Sequence, residues 1–268
     1  MTLRLLACCA LLIGGLAATV EASMRPAPHR AFYDLNLIAA RGSRPVTSVQ
    51  GGMEFEWRQL CDGWTVRHRA RMQLAYAERG EVGIGWSFNA WESDDGTRYR
   101  FFIQRFREGE RTEEVRGRAE LESVGGPGVA RYTMPEARVV ELPAGTLFPM
   151  QHTEAVVEAA RAGEMPLWRM VFDGSGEDSG LYGVNAVLAE SLGPDTAPGF
   201  DSPLIANVAS WRVSLAFFSA EGDGATPVHE QSLRLFENGV GTELILDYGE
   251  FTLRAKLKEL EAVEPPDC

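Results

Sequence analysis

Apolar and polar side chains alternate one for one through most of this chain, and that period decides the class of fold. From residue 64 to residue 76, Trp64, Val66, His68, Ala70, Met72, Leu74 and Tyr76 fall on one side, and Thr65, Arg67, Arg69, Arg71 and Gln73 on the other. On a helix these positions would scatter around the axis. On a strand they separate into a buried face and a wet one. In the run before it Met53, Phe55 and Trp57 oppose Glu54, Glu56 and Arg58, and Cys61-Asp62-Gly63 supplies an Asp-Gly turn, so the two runs form a hairpin. Val82, Ile84, Trp86, Phe88 and Ala90 continue the series through the turn Asp94-Asp95-Gly96 to Tyr99, Phe101 and Ile103.

The second half repeats the pattern at Trp211 to Phe217, Leu233 and Leu235, Leu244 and Leu246, and Phe251 to Leu257. Weaker candidates lie at 31–39, 113–123, 129–134, 138–142, 167–173 and 183–190. The connections are too short for helical crossovers, so the strands are antiparallel, and a sheet of this width curls or closes to hide its edges. The 28 glycines punctuate short runs, as a turn-rich β protein needs. Pro149 to Ala162 breaks the pattern and reads as a helix ended by Gly163. The expected fold is therefore all-β and mainly antiparallel: a single curled, spiral or barrel-like sheet of roughly a dozen strands with one short covering helix. That helix is expected to lay its Val156 and Ala160 side across the concave face or mouth, beside a shallow partner-binding surface.

Residues 1–22 read as a cleaved export signal, with Arg4 in the n-region, Leu5 to Ala18 as the h-region and a cut after Ala22. Residues 23–268 then form a single β-rich domain. The competing readings are an N-terminal membrane anchor and a lipoprotein; Cys8 sits too early in the apolar stretch for the latter. No later run reaches the length of a membrane span. Loss of the signal leaves two cysteines, Cys61 and Cys268, in an oxidising compartment, and an even pair there predicts one disulfide. A metal pair or a catalytic thiol is the competing reading, and each lacks a supporting His cluster.

Chemistry is sparse. His29, His68, His152 and His229 form no His-x-x-His or His-Glu-x-x-His pair, and Gly174-Ser175-Gly176 is too tight for a nucleophile elbow. Asp173, Glu177 and Asp178 do not have EF-hand spacing, and no glycine fingerprint for a nucleotide is found, so no catalytic residue, cofactor or metal is assigned. The net charge of -12 argues against nucleic acid and against anionic membrane surfaces. Arg67, Arg69 and Arg71, with seven arginines between Arg98 and Arg118, are expected to pair across strands with Glu54, Glu56, Glu108, Glu110, Glu113 and Glu114; an anionic headgroup or glycan site is the other reading. Trp57, Trp64, Trp86, Phe88, Trp91 and Phe101 are expected as core, with an acyl pocket as the alternative.

Several blocks, taken in order, resemble a known family: Glu56-Trp57 followed by Cys61-Asp62-Gly63, Trp91-Glu92-Ser93 with Asp95-Gly96, residues 142–149 (Leu-Pro-Ala-Gly-Thr-Leu-Phe-Pro), residues 171–175, residues 247–251 and the final Cys268. They look like the EipB family of periplasmic cell-envelope integrity proteins of Gram-negative bacteria. The resemblance implies a spiral β-sheet, a disulfide joining the two matching cysteines, a periplasmic location and a non-enzymatic role in envelope integrity through association with a periplasmic or envelope protein, a helical-repeat protein among the candidates. Two alternatives stand beside it: a carrier of a lipid-like hydrophobic ligand in a half-open sheet, and an unrecognised envelope hydrolase.

Overall fold

The computed structural model describes residue 24 and residues 26–268 other than 44, 79, 176–178, 198 and 223. The export signal read at 1–22 and the loop residues Gly176, Glu177 and Asp178 lie outside the described residues. No helix among the described residues is long and apolar enough to cross a membrane.

Fifteen strands and one helix are described, and all the strands belong to one sheet. The first arm is a meander of β1 (His29–Ala40), β2 (Val46–Gln59), β3 (Gly63–Tyr76), β4 (Gly80–Ser93), β5 (Arg98–Arg107), β6 (Glu110–Leu121), β7 (Gly128–Met134) and β8 (Arg138–Leu142). After β9 (Thr146–Leu147) and the helix α1 (Pro149–Ala162), the second arm runs through β10 (Leu167–Phe172), β11 (Leu181–Leu192), β12 (Ser210–Ser219), β13 (His229–Phe236), β14 (Gly241–Asp247) and β15 (Phe251–Ala262). Neighbours in the sheet are neighbours in sequence except at one seam, where β1 pairs with β15. Every pairing is antiparallel apart from the short β9–β10 contact. All of the strand candidates pair here. The added strand is β9, whose two residues are too few for any period to show.

The two ends of the sheet, β8 and β9, are joined by only three residues, so the sheet must roll up until its edges meet. Contacts of β10 show that the edges overlap. Its Leu167 and Val171 side shares a core with α1, while Phe172 packs on Tyr99, Phe101, Tyr132 and Leu142 from the inner side of β5, β7 and β8. Three hydrogen bonds stitch the overlap: Tyr132 Oη donates to the Ser179 carbonyl at 2.7 Å, Tyr99 Oη to that of Asp173 at 3.3 Å, and Arg105 Nη2 to that of Ser175 at 2.8 Å. A nearly closed barrel of this kind presents few unpaired backbone groups.

Helix α1 lies inside the curl. Val156, Val157 and Ala160 share one buried cluster with Trp57 and Trp64 from the first arm and Val184, Trp211 and Leu235 from the second. Gly163 ends the helix at φ +71, a conformation that glycine adopts without the Cβ clash of other residues.

Candidate functional site

Beside α1 the curl leaves an interior cavity of about 320 Å³, walled by Tyr33, Phe55, Trp57, Leu244 and Leu246 among others. Expectation and structure part here, because a shallow surface beside the helix was anticipated and an internal space is found. The reason is curvature: strands this long, once rolled, enclose more volume than a 14-residue helix with small side chains fills. Three of the four histidines, scattered through the sequence, meet at this cavity: His68 from β3, His152 from α1 and His229 from β13. Aromatic rings link two of them, His68 to Trp86 at 5.8 Å, Trp86 to Tyr248 at 6.5 Å and Tyr248 to His229 at 5.9 Å between centroids.

Burial holds these imidazoles neutral. His68 and His152 are pushed down to about 4, His152 with help from the Arg169 charge, and His229 is lowered by burial against the opposing pull of Asp247. The Nε2 atoms of all three are buried and lack a hydrogen-bond partner. Among the described residues no histidine hydrogen-bonds a serine or a carboxylate, and no three His, Cys, Asp or Glu side chains form a group able to hold a metal ion. The site is thus an apolar chamber with neutral imidazole edges, able to receive an apolar or weakly hydrogen-bonding group. His29 does not line the cavity but packs behind its wall, 5.5 Å from the Phe55 ring, with Nδ1 donating to the Ala27 carbonyl at 2.7 Å.

One residue that sequence reasoning noted only as part of a family block governs how α1 is held. Phe148 at the N-cap offers no side-chain oxygen; instead the Glu92 carboxylate, projected from β4, accepts from Met150 N at 2.9 Å and Gln151 N at 3.2 Å. A carboxylate on the inward register of a strand, next to Ala90 and Phe88, was the available signal. Burial raises its pKa to about 8 despite these bonds, with the Glu154 charge adding to the rise. The folded state therefore keeps a proton that the unfolded chain releases between about pH 4.5 and pH 8, so this group's contribution to stability falls as pH rises through that window. The neutral histidines act oppositely, below about pH 6.5. We expect the stability of the wild type minus that of Glu92→Gln, followed by urea unfolding, to decline from pH 5 to pH 8; a flat difference would refute the assignment.

On the outer surface the arginines are only partly paired. Glu56 takes Arg30 at 2.6 Å, Arg58 at 3.4 Å and Arg67 at 3.8 Å, and Glu114 takes Arg111 at 2.5 Å and Arg116 at 3.6 Å, whereas Arg105, in the register of Tyr99 and Phe101, pairs with Glu113 at the overlap. Trp91, expected with the core aromatics, instead faces outward under Arg98 and Arg100. The other outer feature is apolar. Trp168, 52% exposed, lies against Gly183 so closely that a Cβ there would fall 2.2 Å from its ring, with the Phe218 ring centroid at 5.8 Å. It stands just beyond the overlap that covers Phe172.

Cys61, in the β2–β3 turn, and Cys268, six residues past β15, are joined by a disulfide with Cα atoms 5.7 Å apart. His29 stands in register with both Trp57 and Ala262, so this bond straddles the start of β1 and fastens the two strands on either side of it.

The EipB-like family model matches residues 20–264. The cell envelope integrity protein EipB of Brucella abortus (strain 2308) is 28% identical over 250 residues, 91% of this chain and 87% of that protein. The crystal structure of a beta-barrel-like protein from the same species, described as a domain of unknown function, matches with a TM-score of 0.82 at 27% identity, over 90% of this chain and 100% of that one.

Proposed function

Because the chain belongs to the EipB-like family, we propose that it is a non-enzymatic periplasmic protein that supports cell-envelope integrity by associating with another periplasmic or envelope protein. Its similarity to a relative named for envelope integrity, over nine-tenths of the chain, supports the envelope role. The observation that carries association is the Trp168 patch. A half-exposed tryptophan seated on a glycine beside Phe218 is costly to leave in water and matches the aromatic anchors that dominate protein interfaces. The carrier reading must fit its ligand into about 320 Å³, at the low end of the range of ~300–1,000 Å³ for small-molecule sites.

Two measurements test this. Cells lacking the protein should become sensitive to detergent and to cell-wall antibiotics, and the wild-type chain should restore resistance. Trp168→Glu should fold with a stability change within about 1 kcal/mol yet lose crosslinked partner and resistance together; loss of an anchor of this type costs about 2 kcal/mol or more of binding, some thirtyfold. Full resistance with Trp168→Glu, or no phenotype in the deletion, would remove the proposal.

A further inference from the structure

Strand register puts Arg100 of β5, Arg118 of β6 and Arg131 of β7 directly opposite one another, side by side on three adjacent strands of the outer face. Like charges so placed destabilise a sheet. Elsewhere on the same strands the sheet avoids this, setting Arg105 against Glu113, Gln104 against Glu114 and Arg98 against Glu120. Among the described residues no carboxylate comes within ion-pair distance of Arg100, Arg118 or Arg131. The row begins at Trp91, over whose ring the Arg100 guanidinium lies at 4.8 Å, and ends at Val139 of β8, which is 61% exposed. In the next row Arg116 lies over the Phe102 ring at 4.7 Å and opposes the exposed Met134. Arg100, Arg116, Arg118 and Arg131 line one open groove of about 1040 Å³.

We propose that this groove is a binding site for the phosphate headgroup of an anionic lipid. Guanidinium forks match phosphate oxygens bidentately, and the rings under Arg100 and Arg116 orient two of them in advance. Three arginines at a strand spacing of ~4.8 Å span about 10 Å, enough for more than one anionic oxygen pair. Val139, Met134 and Phe102 beside them suit the apolar part of an amphiphile, which neither free phosphate nor an acidic peptide would need. The net charge of -12 does not oppose this, because over a screening length of ~8 Å the local row outweighs distant carboxylates. The proposal thus departs from the expectation, drawn from net charge alone, that the molecule as a whole is repelled by anionic membranes. A repulsive row retained in a folded sheet is stability given up where a ligand is held. The inference is independent of the Trp168 patch, which lies on the second arm.

The test is flotation of the purified chain with phosphatidylglycerol vesicles, phosphatidylcholine vesicles and soluble glycerol phosphate. Binding should favour phosphatidylglycerol and weaken about tenfold between roughly 0.05 M and 0.3 M salt. Arg118→Gln should reduce it about fivefold with a Tm unchanged or higher, and the triple Gln variant of Arg100, Arg118 and Arg131 should abolish it. Arg71→Gln, the same charge change outside the groove, should bind like the wild type. Equal binding to phosphatidylcholine, equal loss in Arg71→Gln, or retained binding in the triple variant overturns the proposal. Saturation by glycerol phosphate at the same phosphate concentration makes it a free-phosphate site, and displacement by an equal charge of polyglutamate makes it an acidic-protein site; either result overturns the lipid assignment.

Discussion

Cys61→Ser should lower the unfolding free energy by up to ~5 kcal/mol, the chain-entropy figure for a bond between residues 207 apart in sequence, reduced by whatever structure the denatured chain keeps. The same drop should appear when the wild type is unfolded in the presence of a reductant, and the variant should be indifferent to that reductant. Residues 23–268 contain only these two cysteines, so thiol titration of that chain under denaturing, non-reducing conditions should find none free. Two titrating thiols in the native protein would sink the assignment, and an unfolding midpoint unaffected by reductant would show that the bond adds nothing to stability.

Val156→Asp should cost about 4 kcal/mol or more, because it places an unpaired carboxylate where α1 meets Trp57, Trp64 and Trp211. Val156 is nearly inaccessible to water and its neighbours in the cluster are apolar. The expected result is an undocked helix and an opened lumen, read as a lower urea midpoint together with increased binding of a hydrophobic dye. Glu158→Gln, on the exposed side of the same helix, should change stability by no more than about 0.5 kcal/mol. Equal behaviour of the two variants would mean that α1 does not depend on its place inside the sheet.

What sequence could show, and what it could not, follows from the range of the interactions. The strand from Trp64 to Tyr76 and the helix from Pro149 to Ala162 were legible because their patterns span many residues and depend on local geometry. The convergence of His68, His152 and His229 was not, since they come from β3, α1 and β13 and meet only after the sheet has rolled. Nor was the row of Arg100, Arg118 and Arg131: the residues were visible, but whether each faces a glutamate or another arginine depends on register, and the extra residue Thr112 in β6, between the β5–β6 turn and the Arg100–Arg118 pair, shifts it. Trp91 misled for a simpler reason. Its type suggests core, whereas alternation from Ala90 already put it outside.

The β1–β15 seam bears on the order of events as the molecule forms. Every other neighbouring pair of strands is consecutive along the chain, so fourteen of the fifteen strands can build by hairpins as they become available, whereas His29 must find Ala262 across almost the whole sequence. Formation of long-range pairs of this kind is slow, because the entropy of closing the loop is lost before any contact rewards it. The inner side of β1, with Ala31, Tyr33 and Leu35, therefore waits with one edge open until the last strand exists. Cys268 lies beyond that strand, so its bond to Cys61 can close only once β15 has been made. Oxidation is thus a late event that seals a finished seam and cannot misdirect an unfinished one, and a reductant added during refolding should leave the early hairpins untouched while letting this one junction come apart.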